Sequence, residues 1–582
     1  MRLHLSRVEA EVDGAVHGAE LRHSGATAGP LAVEVVDAGG RGYRWAVANR
    51  GDRPVAVRSV ALVFAVDGVR APLRLLRHGY QSWSPTDLAV VGVDRDPSTR
   101  ARLPFVQGVY HADPRTVTKD GELRSEWFTL VVDAGGEPAF AGFLAGTGHD
   151  GTFRLRPAAG GGPPELAAEA YLGGARLAPG ERRPLHELRV VPAGTATSVD
   201  LLAAWAGEAG AAAGARTAAP YAVGWCSWYQ YFDRVTGADI AANLARAGGW
   251  PFDVFQIDDG YQAAIGDWLD TNDRFPAGLA AHADAIAAAG LRPGLWLAPF
   301  LAAPDSGVAR DHPDWIARTP DGAKPLFAWW NPAWGGGRDG FVLALDTTHP
   351  DVLAHLEDLA RALVATGFDY LKLDFTFSPA VDGRWHDPSC TPAERVRAGL
   401  DAIRRGAGEG AFLLGCGVPL APAVGVVDGC RIGQDVAPTW ALDPGDEVVP
   451  GYLAVQPATL HAYGNTVARS FMHRRLWVND PDCLMLRPTD TRLTPAAAAG
   501  WAAVVGATGG LAVVSDDLAR LGPPESALLA RTLAAGRAAD AAARAGRPAT
   551  APDLLDRTPA TVIAGAAGRL VVDPATGAAT PG

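Results

Sequence analysis

The stretch DVLAHLEDLARALVATGFDYLKLDF, residues 351–375, contains the pattern that decides the fold. Its first part predicts a helix with one apolar face, formed by Val352, Leu356, Leu359 and Leu363. Gly367 follows as a C-cap, and the apolar run YLKLDF comes directly afterwards with the length of a buried strand. A helix that leads straight into a buried strand is the repeating unit of an α/β protein.

Similar apolar runs alternate with helices or loops from Tyr221 onward. Together the runs are YAVGWCSWY, FDVFQIDD, LRPGLWLAPF, FVLALD, FDYLKLDF, AFLLGCG, CRIGQDV and LWVNDPDCLML. Eight strands of this kind predict a (β/α)8 TIM barrel as the central unit of a multidomain α/β protein. In such a barrel the active site lies at the carboxyl ends of the strands.

The segments on either side of the barrel have different patterns. Before it, β-branched runs at residues 31–36, 55–66 and 126–132 lie between Gly, Pro and Asp turns, which predicts an all-β sandwich. After about residue 520, an Ala- and Arg-rich helical stretch precedes the runs ATVIAG and GRLVVD, which predicts a small C-terminal β domain. We therefore expect domains at residues 1–215, 216–520 and 521–582.

Composition and charge exclude several classes of protein. The chain has 582 residues, of which 48% are hydrophobic and 20% charged, and its apolar runs are too short for a membrane span. A net charge of -12 with dispersed basic residues argues against nucleic-acid binding and suits a neutral substrate. The N-terminal sequence MRLHLSRVEAEVDG is typical of a first strand and not of a signal peptide, so we expect a cytoplasmic protein.

Cysteine, histidine and glycine patterns do not predict a metal or phosphate site. The cysteines form no C-x-x-C pair and most lie in apolar runs, so we expect free thiols. H-E-x-x-H, P-loop and G-x-S-x-G motifs are missing from the sequence, and the histidines lack ligand spacing. The run GGGRDG at residues 335–340 precedes a strand and not a helix, which indicates a loop.

Lys372 and Asp374 are the first candidate pair for chemistry. Side chains two positions apart on a strand point the same way, so both are expected to face the barrel axis. Lys372 is one of three lysines among 52 basic residues, which makes its place in an apolar strand informative. A cation here keeps a neighbouring carboxylate ionised, as a nucleophile requires, although a buried structural salt bridge is the alternative.

Further acidic residues come at other predicted strand ends. Arg431 and Asp435 frame a turn in CRIGQDVAP, where Asp435 is a candidate general acid and Arg431 a candidate for binding a hydroxyl or orienting that aspartate. Two carboxylates in one barrel suit glycoside hydrolysis, which needs them roughly 5 Å apart in its retaining form. Asp258 and Asp259 can accept hydrogen bonds from vicinal sugar hydroxyls, or one of them caps the next helix.

Aromatic residues near the predicted strand ends complete the candidate site. The flat faces of sugars pack on aromatic rings, although several of the 17 tryptophans are expected to be plain core. Trp296 is the strongest candidate, because the alternation in PGLWLAPF aims it inward. The other aromatic candidates are Trp225, Trp228, Tyr229 and Trp268.

The motifs taken together resemble the α-galactosidases of glycoside hydrolase family 36. The strings that carry the resemblance are GWCSWYQYF, VFQIDDGYQ, GDW, GLWLAPF, YLKLDF, GCGVPLAPAVGVVDGCRIGQDVAP and LWVNDPDC. In addition, HGYQSWS around Trp83 is similar to the tryptophan motif of the family's N-terminal β-supersandwich. The resemblance implies a retaining, exo-acting α-galactosidase that releases terminal galactose from oligosaccharides such as melibiose or raffinose without a cofactor.

The resemblance also implies roles for individual residues. Asp374 matches the nucleophile and Asp435 the acid/base. Asp258 and Asp259 match the residues that hold the 4- and 6-hydroxyls of galactose. The other implied contacts to substrate are Trp83, Trp228, Tyr229, Trp296, Lys372, Cys416 and Arg431.

Several alternatives remain open at this stage. An α-N-acetylgalactosaminidase and an α-galactosyl transferase of the raffinose-synthase type would use the same aspartates, and a barrel that binds galactosides without turnover is a rival of another class. Residues 328–340, AWWNPAWGGGRDG, have no family counterpart and are interpreted as lining an aglycone subsite or covering the cleft. We expect a small carbohydrate as partner, with neither nucleic acid nor membrane, and the oligomeric state is left open.

Overall fold

The computed structural model of the chain describes residues 1–21, 24–94, 121–157, 162–334, 340–443, 456–552, 554–555, 561–566 and 568–582. Two antiparallel sheets form its N-terminal part. Their strands are β1 (Arg2–Val12), β2 (Ala15–Glu20), β3 (Gly25–Ala28), β4 (Leu31–Asp37), β5 (Gly42–Asn49), β6 (Val55–Asp67), β7 (Arg74–Arg77), β8 (Asp87–Val90), β9 (Leu123–Glu126), β10 (Phe128–Val132), β11 (Pro138–Phe143), β12 (Asp150–Arg156), β13 (Glu165–Leu177) and β14 (Arg182–Val191).

The two N-terminal sheets share one hydrophobic core. One has the strand order β2-β1-β6-β13-β12-β9 and the other the order β3-β4-β5-β14-β11-β10-β7-β8. In β4, Leu31, Val33 and Val35 are buried and the residues between them are more exposed, because successive side chains of a strand face opposite sides. The predicted N-terminal β-sandwich is confirmed.

The central part of the chain forms a parallel sheet and two small antiparallel sheets. Their strands are β15 (Val223–Cys226), β16 (Val254–Ile257), β17 (Gln262–Ala264), β18 (Asp267–Thr271), β19 (Arg292–Leu297), β20 (Leu301–Ala302), β21 (Phe327–Trp330), β22 (Phe341–Ala344), β23 (Tyr370–Leu373), β24 (Phe412–Gly415), β25 (Gly429–Arg431), β26 (Val478–Asp480) and β27 (Ala512–Val514). In the described part of the chain, eight of them pair in parallel in the order β26-β25-β24-β23-β19-β16-β15-β27. A parallel bridge between Leu484 and Val514 joins the two edges, so the sheet is a nearly closed barrel.

Helices follow most of the barrel strands. The α-helices are α1 (Ser198–Ala213), α2 (Trp228–Tyr231), α3 (Gly237–Ala247), α4 (Gly278–Ala288), α5 (Gly307–Asp311), α6 (Pro350–Thr366), α7 (Pro392–Ala407), α8 (Leu420–Ala423), α9 (Thr459–Ala468), α10 (Pro495–Thr508) and α11 (Pro523–Arg544). In α6 the buried residues include Val352, Leu356, Leu359 and Leu363, as the apolar periodicity predicts. Gly367 ends this helix with a φ of 114°, a conformation that glycine adopts without a steric cost.

One predicted barrel strand is wrong, and another was missed. The run FVLALD contains β22, which pairs antiparallel with β20 and β21 in a separate sheet and not with the barrel. The eighth barrel strand is β27, which pairs with β15. An apolar run does not specify which strand it pairs with, and β22 pairs with two strands that are near it in the chain.

The loop that carries Trp83 is fixed on the barrel by main-chain and side-chain hydrogen bonds. Ser82 N donates to Val418 O at 3.1 Å, and Val418 N donates back to Ser82 Oγ at 3.0 Å. Arg469 is completely buried and donates to the carbonyl oxygens of Ser82 and Ser84 at 2.8 and 2.7 Å. These contacts place a loop of the N-terminal sandwich at the mouth of the barrel.

The C-terminal part adds a small antiparallel sheet that follows the long helix α11 in the chain and packs against α10. Its strands are β28 (Thr561–Gly565), β29 (Gly568–Val572) and β30 (Ala579–Pro581). Asp540 of α11 joins the helix to the barrel through His473 Nε2 at 3.0 Å and Arg474 Nε at 2.6 Å. Within the described residues, none of the helices is long and apolar enough to cross a membrane.

Candidate active site

Asp374 directly follows β23, at the carboxyl end of the barrel, and both of its carboxylate oxygens are hydrogen-bonded. Trp296 Nε1 donates to Oδ2 at 3.0 Å, and the main-chain N–H of Phe375 donates to Oδ1 at 2.8 Å. Phe375 has a φ of 52°, an unusual conformation for a bulky residue that is typical of functional sites. The inward direction predicted for Trp296 therefore places its indole on the candidate nucleophile.

Lys372 pairs with Asp258 of the neighbouring region and not with Asp374. Its Nζ lies 2.9 Å from Oδ2 of Asp258, which also accepts from Gln256 Nε2 at 2.5 Å. Burial alone lowers the pKa of Lys372, but Asp258, with smaller effects of Cys416 and Asp374, raises it well above its ordinary value. Lys372 is therefore a permanent cation that faces the barrel axis, as strand parity predicts, but its main partner is a different carboxylate.

Asp259 lies next to Asp258 and is held by two donors. Gln262 Nε2 donates to Oδ1 at 2.6 Å, and Trp334 Nε1 donates to Oδ2 at 2.8 Å. Burial raises the pKa of Asp259 to about 6, while these two hydrogen bonds oppose the rise. In the described contacts, both Asp258 and Asp259 face polar groups of the site and neither caps a helix.

Arg431 lies at the end of β25 and contacts three carboxylates. Its nitrogen atoms lie 2.8 Å from Asp435 Oδ1, 3.0 Å from Asp480 Oδ2 and 2.8 Å from Asp482 Oδ1. The side chains of Asp480 and Asp482 are almost completely buried, whereas that of Asp435 keeps 33% of its surface exposed. Asp480 and Asp482 thus hold Arg431 in place, and Arg431 in turn orients the accessible carboxylate of Asp435.

Asp480 and Asp482 are site residues that the sequence analysis quoted in LWVNDPDC without assigning. Asp482 also accepts hydrogen bonds from the hydroxyl of Tyr229 and, at 2.9 Å, from Val436 N. Its φ of 84° is rare for aspartate, which indicates that these contacts fix its backbone. The available signal was an N-D-P-D sequence at a strand end, where polar side chains gather in a barrel.

The candidate acid/base has a pKa suited to donating a proton. Burial raises the pKa of Asp435, Arg431 lowers it, and the charge of Asp374 raises it. Asp374 follows β23 and Asp435 follows β25, two strands away in the barrel sheet, so both acids come after strand ends on the same side of the barrel. A general acid must be protonated before it acts, and a raised pKa keeps a larger fraction of Asp435 in that form.

The remaining predicted residues lie at different distances from this cluster. Cys416 is buried and its pKa is raised well above the ordinary value, first by burial and then by Asp374. The ring of Trp83 lies 4.9 Å from that of Phe375 between centroids, next to Asp374. The ring of Trp228 packs edge-on against that of Phe232 with centroids 5.2 Å apart.

Two further aromatic candidates divide between core and site. Trp225 stacks on Phe255 with centroids 4.2 Å apart and donates to the carbonyl of Asp516, so it is core. Trp268 packs edge-on against Trp296 at 5.8 Å and supports it from behind. Trp225 is thus one of the tryptophans expected to belong to the hydrophobic core and not to the site.

Trp329 and Trp334 bring two aromatic rings next to the residues around Asp374. Trp329 lies 6.0 Å from Trp83 and 5.1 Å from Phe375, and Trp334 lies 4.9 Å from Phe375. The sequence is compatible with two roles for the segment of residues 328–340, lining an aglycone subsite and covering the cleft. The glycine-rich run at residues 335–339 lies outside the described residues.

A parallel barrel with this set of carboxylates at its carboxyl end has the fold and the acidic groups that a (β/α)8 glycoside hydrolase requires. Residues 223–379, which include Asp258, Asp259 and Asp374, match the family model described as Melibiase. This match and the motifs agree on a resemblance to the α-galactosidases of glycoside hydrolase family 36.

Relatives and solved structures agree with this placement. Alpha-galactosidase AgaA of Geobacillus stearothermophilus is 27% identical over 30% of this chain and 22% of its own length. Alpha-galactosidase of Escherichia coli is 34% identical over 14% of this chain and 12% of its own length. The chain thus aligns with less than a quarter of the length of these curated relatives.

The structural match extends over nearly the whole chain. TtGalA, an alpha-galactosidase from Thermus thermophilus in complex with p-nitrophenyl alpha-D-galactopyranoside, is 26% identical, with a TM-score of 0.69 over 97% of this chain and 98% of that one. The structure of AgaA from Geobacillus stearothermophilus has a TM-score of 0.62 at 14% identity, over 98% of this chain and 80% of that one, and shares the fold.

Proposed function

We propose that the protein is a retaining, exo-acting α-galactosidase that releases terminal α-linked galactose from oligosaccharides. The observation that carries the proposal is the pair of acidic groups at the carboxyl end of the barrel: Asp374, whose oxygens accept from Trp296 and Phe375, and Asp435, which Arg431 holds at 2.8 Å. Support also comes from TtGalA, which covers nearly the whole chain and has been captured with an aryl α-galactoside and, in a second structure, with stachyose.

The first chemical step assigns a different role to each aspartate. Asp374 attacks the anomeric carbon and forms a β-linked galactosyl ester, while Asp435 gives its proton to the departing glycosidic oxygen. Trp296 and the N–H of Phe375 fix the direction of the attacking carboxylate. Arg431, held by Asp480 and Asp482, fixes the position of Asp435.

The second step uses the same electrostatic coupling in reverse. Once Asp374 is esterified, its negative charge is gone, and one of the causes that raise the pKa of Asp435 disappears. Asp435, ionised after the first step, then takes a proton from water, which attacks the ester and releases α-galactose. The acid of the first step therefore becomes the base of the second.

Substrate recognition falls to the polar residues around this pair. We assign the 4-hydroxyl of galactose to Asp258 with Lys372, and the 6-hydroxyl to Asp259. Carboxylates accept hydrogen bonds from hydroxyls, and the Lys372 ammonium lies within 2.9 Å of Asp258, where it can donate to the same hydroxyl. Trp83 and Trp296 supply aromatic surface beside the sugar ring.

The experiment that tests the proposal is a panel of aryl α-glycosides with purified protein. The galactoside is expected to be hydrolysed fastest, ahead of the N-acetylgalactosaminide, the glucoside and the arabinopyranoside, which lacks the 6-hydroxymethyl group. Nuclear magnetic resonance should show α-galactose as the first product. Activity confined to the glucoside would overturn the assignment, and a preference for the N-acetylgalactosaminide would replace it by the related activity.

A further inference from the structure

Trp334 separates the candidate active site from a second cavity of about 510 Å³. The cavity is lined by polar groups of the loop after β16, the β17–β18 hairpin and the loop before α5, and Asp259 and Trp334 belong to its wall. On the other side, the Trp334 ring lies 5.9 Å from Trp296 and 4.9 Å from Phe375. The Trp334 indole thus lies in the wall of this cavity and also contacts the rings next to Asp374.

The position of the Trp334 side chain is fixed by burial and by hydrogen bonds. Trp334 keeps only 6% of its surface exposed, and its Nε1 donates to Asp259 Oδ2 at 2.8 Å. Its backbone N–H donates to Asn331 O at 3.0 Å, and Asn331 Oδ1 accepts from Ala333 N at 3.0 Å, which closes a tight turn at the end of β21. The position of the indole is therefore set by a turn on one side and by a carboxylate on the other.

The second cavity has the chemistry of a sugar-binding surface. Asp305 Oδ1 is buried without a hydrogen-bond partner among the described residues, and Asp233, Gln262 and Arg310 also line the cavity. Carboxylate acceptors together with a guanidinium donor and an aromatic wall suit neutral hydroxyl-bearing groups. The cavity also has the volume usual for small-molecule sites.

We propose that Trp334 is the specificity-determining wall of this enzyme: it holds Asp259 on the 6-hydroxyl and excludes galactosides that carry a substituent at that position. The proposal rests on the proposed function, because it takes Asp259 as the partner of the 6-hydroxyl. Removal of the indole would open the polar cavity towards Trp296 and Phe375. A group attached to the 6-oxygen of the substrate would then enter the cavity. Trp334 is a positioning residue, since it acts through Asp259.

Two variants separate the two parts of this role. Trp334→Ala removes the wall and the N–H donor, whereas Trp334→Phe keeps an aromatic wall and removes the donor alone. Each is assayed with p-nitrophenyl α-galactopyranoside, its 6-O-methyl derivative and the arabinopyranoside that lacks the 6-hydroxymethyl group. Trp330→Ala serves as control, because Trp330 is on the same hairpin with 44% of its surface exposed.

The expected results differ for the two variants. Trp334→Ala raises the kcat/KM of the 6-O-methyl substrate relative to the unsubstituted one by at least about tenfold. Trp334→Phe keeps the wild type's discrimination between the two galactosides and raises KM for the unsubstituted galactoside about tenfold. Its KM for the arabinopyranoside changes by less than about threefold, because loss of the hydrogen bond to Asp259 affects only a substrate whose 6-hydroxyl binds Asp259. Trp330→Ala leaves all three substrates unchanged.

Two outcomes would overturn the proposal. One is an unchanged ratio of the two galactosides in Trp334→Ala, and the other is an equal rise in KM for galactoside and arabinopyranoside in Trp334→Phe. If Trp334→Ala does not fold, the Trp334→Phe comparison decides alone. Failure of the proposed function is recognised separately, since the wild type would then leave the unsubstituted aryl α-galactoside intact.

Discussion

The ammonium group of Lys372 lies 2.9 Å from Oδ2 of Asp258, and 7% and 2% of the two side chains are exposed. The pair connects β23 to the end of β16, and these two strands lie on either side of β19 in the barrel sheet. Because Lys372 is engaged there, Asp374 two residues later takes its principal side-chain hydrogen bond from Trp296. The same segment thus supplies the cation that pairs with Asp258 and the carboxylate that we propose as the nucleophile.

Lys372→Met is expected to destabilise the protein by about 3 to 5 kcal/mol, because it leaves the Asp258 carboxylate buried without its counter-ion. Thermal or denaturant unfolding measures the loss. Lys324→Met, at an exposed position, is the control and should change stability by less than about 0.5 kcal/mol. The double variant Lys372→Met with Asp258→Asn should recover part of the loss, and equal instability of the single and double variants would contradict the ion-pair argument.

Azide should distinguish the proposed roles of Asp374 and Asp435 by the stereochemistry of the product. Asp374→Ala is expected to lose about a thousandfold or more in kcat on an aryl α-galactoside, and azide should restore turnover as β-galactosyl azide. Asp435→Ala should lose less with an activated leaving group, and azide should give α-galactosyl azide through the intact nucleophile. Product analysis by nuclear magnetic resonance decides, and wild-type activity in Asp374→Ala would refute its role.

Asp482→Asn should move the basic limb of the kcat/KM profile to lower pH. Burial raises the pKa of Asp482 to about 6, and Arg431 lies between it and Asp435. Without the negative charge of Asp482, the positive charge of Arg431 acts more strongly on Asp435 and lowers the pKa of Asp435. The general acid then ionises at a lower pH. A pH profile shifted upward would contradict this arrangement. Asp443→Asn, at an exposed carboxylate, should leave the profile in place.

Arg469→Met should weaken the attachment of the Trp83 loop to the barrel. Arg469 donates to Ser82 O at 2.8 Å and Ile432 O at 2.9 Å, and burial lowers its pKa to about 9. Buried carbonyls left without donors cost about 1 to 3 kcal/mol each, so a loss of about 3 kcal/mol or more is expected, with a higher KM for galactosides. Arg361→Met, at a position half exposed on α6, is the control for unfolding and KM measurements.

Asp540→Asn should remove a stabilising contribution that depends on pH. Arg474 Nε and Arg544 Nε lie 2.6 and 2.9 Å from the Asp540 carboxylate, and these partners with His473 hold the pKa of Asp540 below its usual range despite partial burial. Because the folded-state pKa is depressed, the contribution is fully present above the unfolded-state pKa of about 3.9 and is lost as the pH falls below it.

The measurement for Asp540 is the difference in melting temperature between wild type and Asp540→Asn across pH. This difference should be largest from about pH 5 upward and shrink towards pH 2. A difference that stays constant, or grows on acidification, would show that the carboxylate charge is not what holds α11 on the barrel.

Patterns of short range were predictable from the sequence. The period of α6 placed Val352 and Leu363 on its buried face, and strand parity placed Lys372 and Asp374 towards the axis. These are properties of a few neighbouring residues, because helix and strand geometry repeat every 3.6 and two residues. The order of the motifs was likewise sufficient to indicate the family.

Partners far apart in the chain were not predictable in the same way. Strand parity predicts Asp374 as the carboxylate beside Lys372, but the Lys372 side chain pairs with Asp258, 114 positions away in the chain. Trp334 donates to Asp259 at a separation of 75 positions, and nothing in either local sequence names the other. The same limitation placed FVLALD in the barrel, since its apolar residues suit any sheet.

The sequence by itself thus determined a barrel with acidic strand ends and an N-terminal sandwich, because periodicity and turn residues act locally. Only the tertiary structure decided that Arg431 gathers Asp480 and Asp482 around the candidate acid, that β27 closes the barrel and that Trp334 forms a wall of the site. The physical reason is that burial and hydrogen-bond partners arise when distant strand ends meet, and the energies that select those partners depend on three-dimensional distances.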